Sequence, residues 1–169
     1  KNGIHWDRNY VEANLSSAIN APLVAEFVDD DQDVVAGHGD VKQTEDGGVY
    51  FENSVVVGSV TDVNIEDLEI NGEIKTVLTA NGLLYDQRFP HFVKWLKNMP
   101  DTSSVKGSVE ISGKHPNRNI QYEGDYDSKY RIPKEFDYSG MAILFTEPPA
   151  DDSSVLLEIN KHKKEDYSM

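Results

Sequence analysis

The chain has 169 residues, 38% hydrophobic and 27% charged, with no cysteine and a formal net charge of −14. That length and balance suit one domain burying its own core and exclude a disordered chain, while the missing cysteines exclude disulfides, thiol catalysis and thiolate zinc sites and agree with an intracellular life. The carboxylate surplus repels phosphate backbones and anionic lipid, so neither nucleic acid nor a membrane is expected as partner, and no apolar run approaches the ~20 residues of a spanning helix.

The opening Lys1-Asn2-Gly3-Ile4-His5 has neither an initiator methionine nor a signal-peptide pattern, so a fragment or processed piece is expected. Residues 1–20 are mixed: Asn14 to Ser17 suit a turn, and Trp6 and Tyr10 should pack on the body. Ala21 to Phe27 reads as a strand with Pro22 near its start, where a missing N–H is tolerated. Asp29-Asp30-Asp31 breaks it; the triplet lacks the spacers, glycine and later glutamate of a calcium loop and reads as a solvated turn. Val34 to Gly37 is a second short strand, leading into His38. Asp46-Gly47-Gly48 marks a turn before Val49 to Phe51, and Ser54 to Val60 is apolar on both faces, as a buried strand should be. Asn71-Gly72 between alternating segments is the strongest hairpin signal, with a type I′ turn.

Arg88 to Asn98 carries the clearest helical signal. Phe89, Phe92, Val93 and Leu96 form one apolar stripe, Pro90 suits the first turn, and Pro100 stops the helix. Val105 to Ile111 is a strand, followed by a polar excursion from Lys114 to Glu135. Met141 to Phe145 and Val155 to Ile159 supply two last strands around Pro148-Pro149-Ala150-Asp151. The expected fold is mainly β with a few helices, a closed or nearly closed barrel of about seven strands. Residues 1–160 form one domain, and 161–169 form a charged tail.

Within Lys106-Gly107-Ser108-Val109-Glu110-Ile111-Ser112, alternation puts Ser108 and Glu110 on the polar face and Val109 and Ile111 on the other. A serine Oγ needs a neighbouring base to act as a nucleophile. His38, set between Gly37 and Gly39, lies 108 − 38 = 70 residues upstream and is the candidate base. There is no GxSxG elbow. Read only from these residues, a polar strand face and a turn histidine explain the pattern more simply than a catalytic pair does. A metal site at His38 and Asp40 lacks further ligands at suitable spacing, and no metal or other cofactor is expected.

The succession Ala21-Pro22-Leu23-Val24, His38, Val57-Gly58-Ser59-Val60, Gly107-Ser108-Val109-Glu110-Ile111 and Ala142-Ile143-Leu144 before Pro148-Pro149-Ala150 resembles the phage prohead (capsid-maturation) serine proteases, which share a barrel with herpesvirus assemblin. The resemblance covers residues 20–160 and is nearer to prophage-encoded members from Gram-positive bacteria, through Gln87-Arg88-Phe89-Pro90 and Pro149-Ala150-Asp151-Asp152. It implies an assemblin-like barrel with Ser108 as nucleophile and His38 as general base. Asp137 is the first choice for the residue behind the histidine, with Glu110 the alternative; His115 comes too soon after the serine to serve. Arg131 would correspond to the arginine that holds the oxyanion water. Tyr122 to Tyr130 is either a substrate groove or a loop.

The function so implied is a serine endopeptidase processing scaffolding and major capsid proteins, working inside the prohead in the host cytoplasm. The resemblance allows homodimers or higher oligomers, with the Trp95 helix a candidate face, and a removed scaffold segment after the tail. The alternatives are a non-enzymatic phage structural or assembly protein on the same fold, and an acidic binding module.

Overall fold

The computed structural model describes residues 3–114, 119–124 and 130–159. Its first element is the helix α1 (Arg8–Asn14), started by the Asp7 carboxylate, which accepts from the N–H groups of Asn9 and Tyr10 at 2.9 and 3.2 Å. A 3₁₀ turn over Leu15–Ala18 follows. The sequence reading placed only a turn here, because one buried face of seven residues gives little periodicity. Strand β1 (Pro22–Ala25) comes next, then β2 (Asp40–Gln43) and β3 (Val49–Glu52), and the long β4 (Val55–Ile70) and β5 (Glu73–Leu84). Asn71 and Gly72 have φ of 55° and 79°, the left-handed pair that a type I′ turn requires.

Helix α2 (Pro90–Lys97) has Pro90 in its first turn and buries Phe92, Val93 and Leu96. A 3₁₀ turn over Thr102–Ser104 and strands β6 (Lys106–Ser112), β7 (Gln121–Glu123), β8 (Ile132–Glu135) and β9 (Asp137–Leu144) complete the described elements. Among them, Val155 makes only an isolated bridge to Lys106, so the expected strand over Val155 to Ile159 is not formed. The polar excursion contains the β7–β8 hairpin, and the tail lies outside the described residues.

The strands form one five-stranded sheet in the order β5-β4-β1-β9-β6, with β2-β3 and β7-β8 as separate pairs. β1 runs parallel to β9 and antiparallel to β4, and β6 is antiparallel to β9. This is an open half-barrel, which corrects the expectation of a closed barrel of about seven strands. Closure needs the two edge strands to share a hydrogen-bond ladder. Here residues 154–156 lie along the start of the β6 edge: Gly107 N–H donates to the Ser154 carbonyl at 3.2 Å and Leu156 N–H to the Val105 carbonyl at 2.9 Å. The β2-β3 pair is almost wholly exposed and is hydrogen-bonded to neither edge of the five-stranded sheet.

Helix α2 covers one side of the sheet, where Phe92, Val93 and Leu96 meet Leu23, Ala25, Val35, Val57 and Val105. Val24, Ala142 and Leu144 pack on the other side of the same strands, so β1 is buried on both faces. Val11, Ala18, Phe136 and Tyr138 form a second core under the β4-β5 hairpin. Trp95 stacks near Phe92 and meets Phe145 edge-on at 5.1 Å, which directs it along the body of the protein.

Phe92 is fully buried, so Phe92→Ala should lower the unfolding free energy by about 3–5 kcal/mol, measured by urea denaturation. Burial pushes the Tyr138 phenol up to about 12. Its raised folded value favours the neutral form, so this stabilisation is complete below the ordinary phenol range near 10 and is lost as pH rises through about 12. Urea midpoints measured from pH 9 to 12 should therefore fall less steeply in Tyr138→Phe than in the unaltered protein.

Candidate active site

Strand β6 brings the serine and a carboxylate to one wall. Ser108 pairs with Ala142 and Glu110 with Gly140 across the ladder to β9, and alternation sends both side chains to the same face. A bulge between Glu110 and Ile111 ends the regular register just beyond them. Glu110 is 9% exposed, the one buried charged residue among those described. Gly140 makes its seat: a Cβ there would stand 2.6 Å from Glu110 Oε2.

His38 meets this carboxylate from the opposite side. Its loop is tied down at both ends: Ala36 N–H donates to the Glu26 carbonyl at 2.8 Å, and Gly39 N–H to the Glu26 carboxylate at 3.2 Å. Phe145 and Glu147 donate backbone N–H bonds to the Ala36 carbonyl. Gly39 has φ of 87° and passes so close to the Glu52 carbonyl that a Cβ would lie 2.1 Å from its oxygen, which explains the second glycine beside the histidine. His38 Nδ1 lies 2.8 Å from Glu110 Oε1, and its ring stacks on Phe51 of β3 with centroids 5.5 Å apart. A buried carboxylate accepting the Nδ1 proton leaves Nε2 as the acceptor, the tautomer a general base needs.

His38, Ser108 and Glu110 line one open cleft of about 320 Å³, with Phe51, Leu144 and the segment 147–150 among its walls. Ser108 Oγ makes no hydrogen bond to His38 or to any other described residue. Catalytic hydrogen bonds are often long or misaligned without substrate and tighten when it binds.

The remaining expected site residues are elsewhere. Asp137 begins β9 opposite Ser112, at the far end of β6 from Lys106, and its carboxylate is 4.0 Å from Lys114 Nζ. It lines no part of the cleft, so Glu110 and not the first-choice Asp137 stands behind His38. Arg131 bridges to Ile4, and its guanidinium lies 4.8 Å from the Tyr122 ring centre, again outside the cleft lining. His115 and residues 125–129, in the segment read as either a groove or a loop, lie outside the described residues. Asp29 caps its own turn through the Asp31 N–H, and the described residues contain no group of three or more His, Asp or Glu arranged for a metal ion.

Phe51 and Glu147 escaped sequence reading. Phe51 sits in a short polar hairpin, and Glu147 follows an apolar strand where an ordinary turn acid is expected; only the Pro148-Pro149 after it marked the segment.

A family model described as the YonD N-terminal domain matches residues 1–169. The chain belongs to that family. Membership accords with the phage-type expectation, and the description names no activity. No curated protein and no solved structure matches the chain.

Imidazole ¹⁵N shifts at pH 8 should show the proton of neutral His38 on Nδ1. Glu110→Ala should redistribute it toward Nε2, and Gly140→Ala, by crowding the Glu110 carboxylate, should do so in part. Unchanged shifts in both variants would mean that the carboxylate does not set the tautomer.

Proposed function

We propose that this member of the YonD N-terminal domain family is a serine endopeptidase of phage prohead maturation. The observation that carries the reading is the 2.8 Å contact of His38 Nδ1 with buried Glu110, in the cleft that Ser108 also lines. The sequence order that resembles the prohead proteases supplies the substrate class, scaffolding and major capsid proteins. The prohead interior, in the host cytoplasm, is the corresponding place of action. Homodimers remain compatible with this reading.

In the mechanism, His38 Nε2 removes the Ser108 hydroxyl proton as Oγ attacks the scissile carbonyl carbon, and Glu110 stabilises the imidazolium. The tetrahedral oxyanion collapses, the peptide C–N bond breaks, and the imidazolium protonates the leaving amine. A water, deprotonated by the same imidazole, then attacks the acyl-enzyme ester and releases the carboxylic acid and free Ser108. Arg131 is placed away from the cleft, which leaves backbone N–H groups around it for the oxyanion.

The second reading, a non-enzymatic phage structural or assembly protein on this fold, is favoured by the missing hydrogen bond between Ser108 and His38. A diphenyl phosphonate separates the two. Under the protease reading it adds covalently to Ser108, seen as a mass increase on the peptide containing residues 106–112, and Ser108→Ala abolishes the label. Scaffold cleavage should fall at least about a thousandfold in Ser108→Ala and in His38→Ala. Cleavage retained by Ser108→Ala would remove the serine from the mechanism.

A further inference from the structure

The cleft holds a second carboxylate that the mechanism does not use. Glu110 is engaged by His38, but Glu147 forms no ion pair or side-chain hydrogen bond with any described residue. Its position is specific. The carboxylate lies against Gly37, where an added Cβ would be 1.8 Å from Oε2 and 2.4 Å from Cδ. Glycine at 37 leaves that space to the carboxylate, one position before the candidate base, and a larger residue there would push the carboxylate aside. The Glu147 backbone is fixed as well, through its N–H bond to the Ala36 carbonyl at 3.3 Å.

Beside this free charge the cleft has an apolar part, with Leu144, Ile111, Pro148 and Pro149 in its lining. An apolar wall with one unpaired carboxylate matches a side chain made of an aliphatic stem and a cationic head. The surplus of acids over the whole chain acts in the same direction, since a net charge of −14 draws basic segments toward the surface and repels acidic ones.

We propose that Glu147 is a specificity residue, pairing with a lysine or arginine side chain of the peptide bound in this cleft. The inference rests on the protease reading for its substrate class and adds the residue that selects within it. Glu147 touches the substrate side chain and takes no part in the proton transfers at Ser108.

Three peptidyl diphenyl phosphonates test this, alike except for lysine, norleucine or glutamate at the residue bonded to phosphorus, with a second set varied one residue further. In the unaltered protein one lysine probe should label Ser108 about three- to tenfold faster than its norleucine counterpart, the range a partly exposed ion pair supports, and the glutamate probe should be slowest. Glu147→Gln should bring the lysine-to-norleucine ratio close to one, because the lysine rate falls by more than the norleucine rate. Glu147→Lys should reverse the order of the lysine and glutamate probes. Gly37→Ala, which displaces the carboxylate without removing its charge, should lower the ratio in the same direction.

If norleucine probes label Ser108 but lysine gives no advantage at either position, the specificity role is overturned and the nucleophile stands. A fall in the norleucine rate of Glu147→Gln equal to the fall in the lysine rate would also overturn it, because the residue would then serve the chemistry and not the choice of substrate. If no probe labels Ser108, the protease reading fails, and binding decides the rest. Nα-acetyl-lysine methylamide, titrated into the ¹⁵N-labelled Ser108→Ala protein, should shift the amides of Gly37 and Glu147 more than Nα-acetyl-norleucine methylamide does. Equal shifts from both would reject a cation site at Glu147.

Discussion

The site depends on a carboxylate placed where water is largely excluded. Glu110 projects from the face of β6 opposite Val109 and Ile111 and is covered by β9 at Gly140, with the His38 ring against its carboxylate. Removing a carboxylate from water costs several kcal/mol unless hydrogen bonds or an opposite charge compensate. His38 Nδ1 provides that contact. The requirement acts in both directions: the buried carboxylate fixes the ring, and the ring makes burial of the carboxylate tolerable. Two glycines of the region have a spatial reason, room for the buried carboxylate at Gly140 and close backbone passage at Gly39.

The surrounding architecture holds the two partners in register. β6 contributes Ser108 and Glu110 from a ladder whose alternation is regular up to the bulge. The His38 loop is hydrogen-bonded to the continuation of β1 and to the end of β9, neighbouring strands of the same sheet. Phe51 supports the ring from the β2-β3 hairpin. That hairpin adds little to the core, and its placement makes sense chiefly as a wall of the cleft. The half-barrel stays open on this side, with residues 154–156 covering only the beginning of the β6 edge.

Much of the fold was legible locally. The apolar stripe of α2, the Asn71-Gly72 turn and the alternation of β6 are patterns of a few residues, and each reappears in the structure because local geometry produces it. Barrel closure was not legible, since it depends on which edges meet, and strand edges carry no sequence mark comparable to a turn. The short helix α1 was missed for a different reason: its stability comes from the Asp7 cap and from Val11 packing in a distant core.

The sequence alone determined that the chain is an acidic, cysteine-free, mainly β domain, and that Ser108 and Glu110 share one strand face, because side-chain alternation has a period of two. It also singled out His38 by its flanking glycines. Only the tertiary structure decided which acid meets the histidine. Asp137 and Glu110 are equivalent carboxylates in sequence, yet one begins β9 in partial solvent beside Lys114 and the other lies buried 2.8 Å from Nδ1. The free carboxylate of Glu147 is likewise a product of folding, since its place beside Gly37 joins segments about a hundred residues apart through contacts that no local pattern encodes.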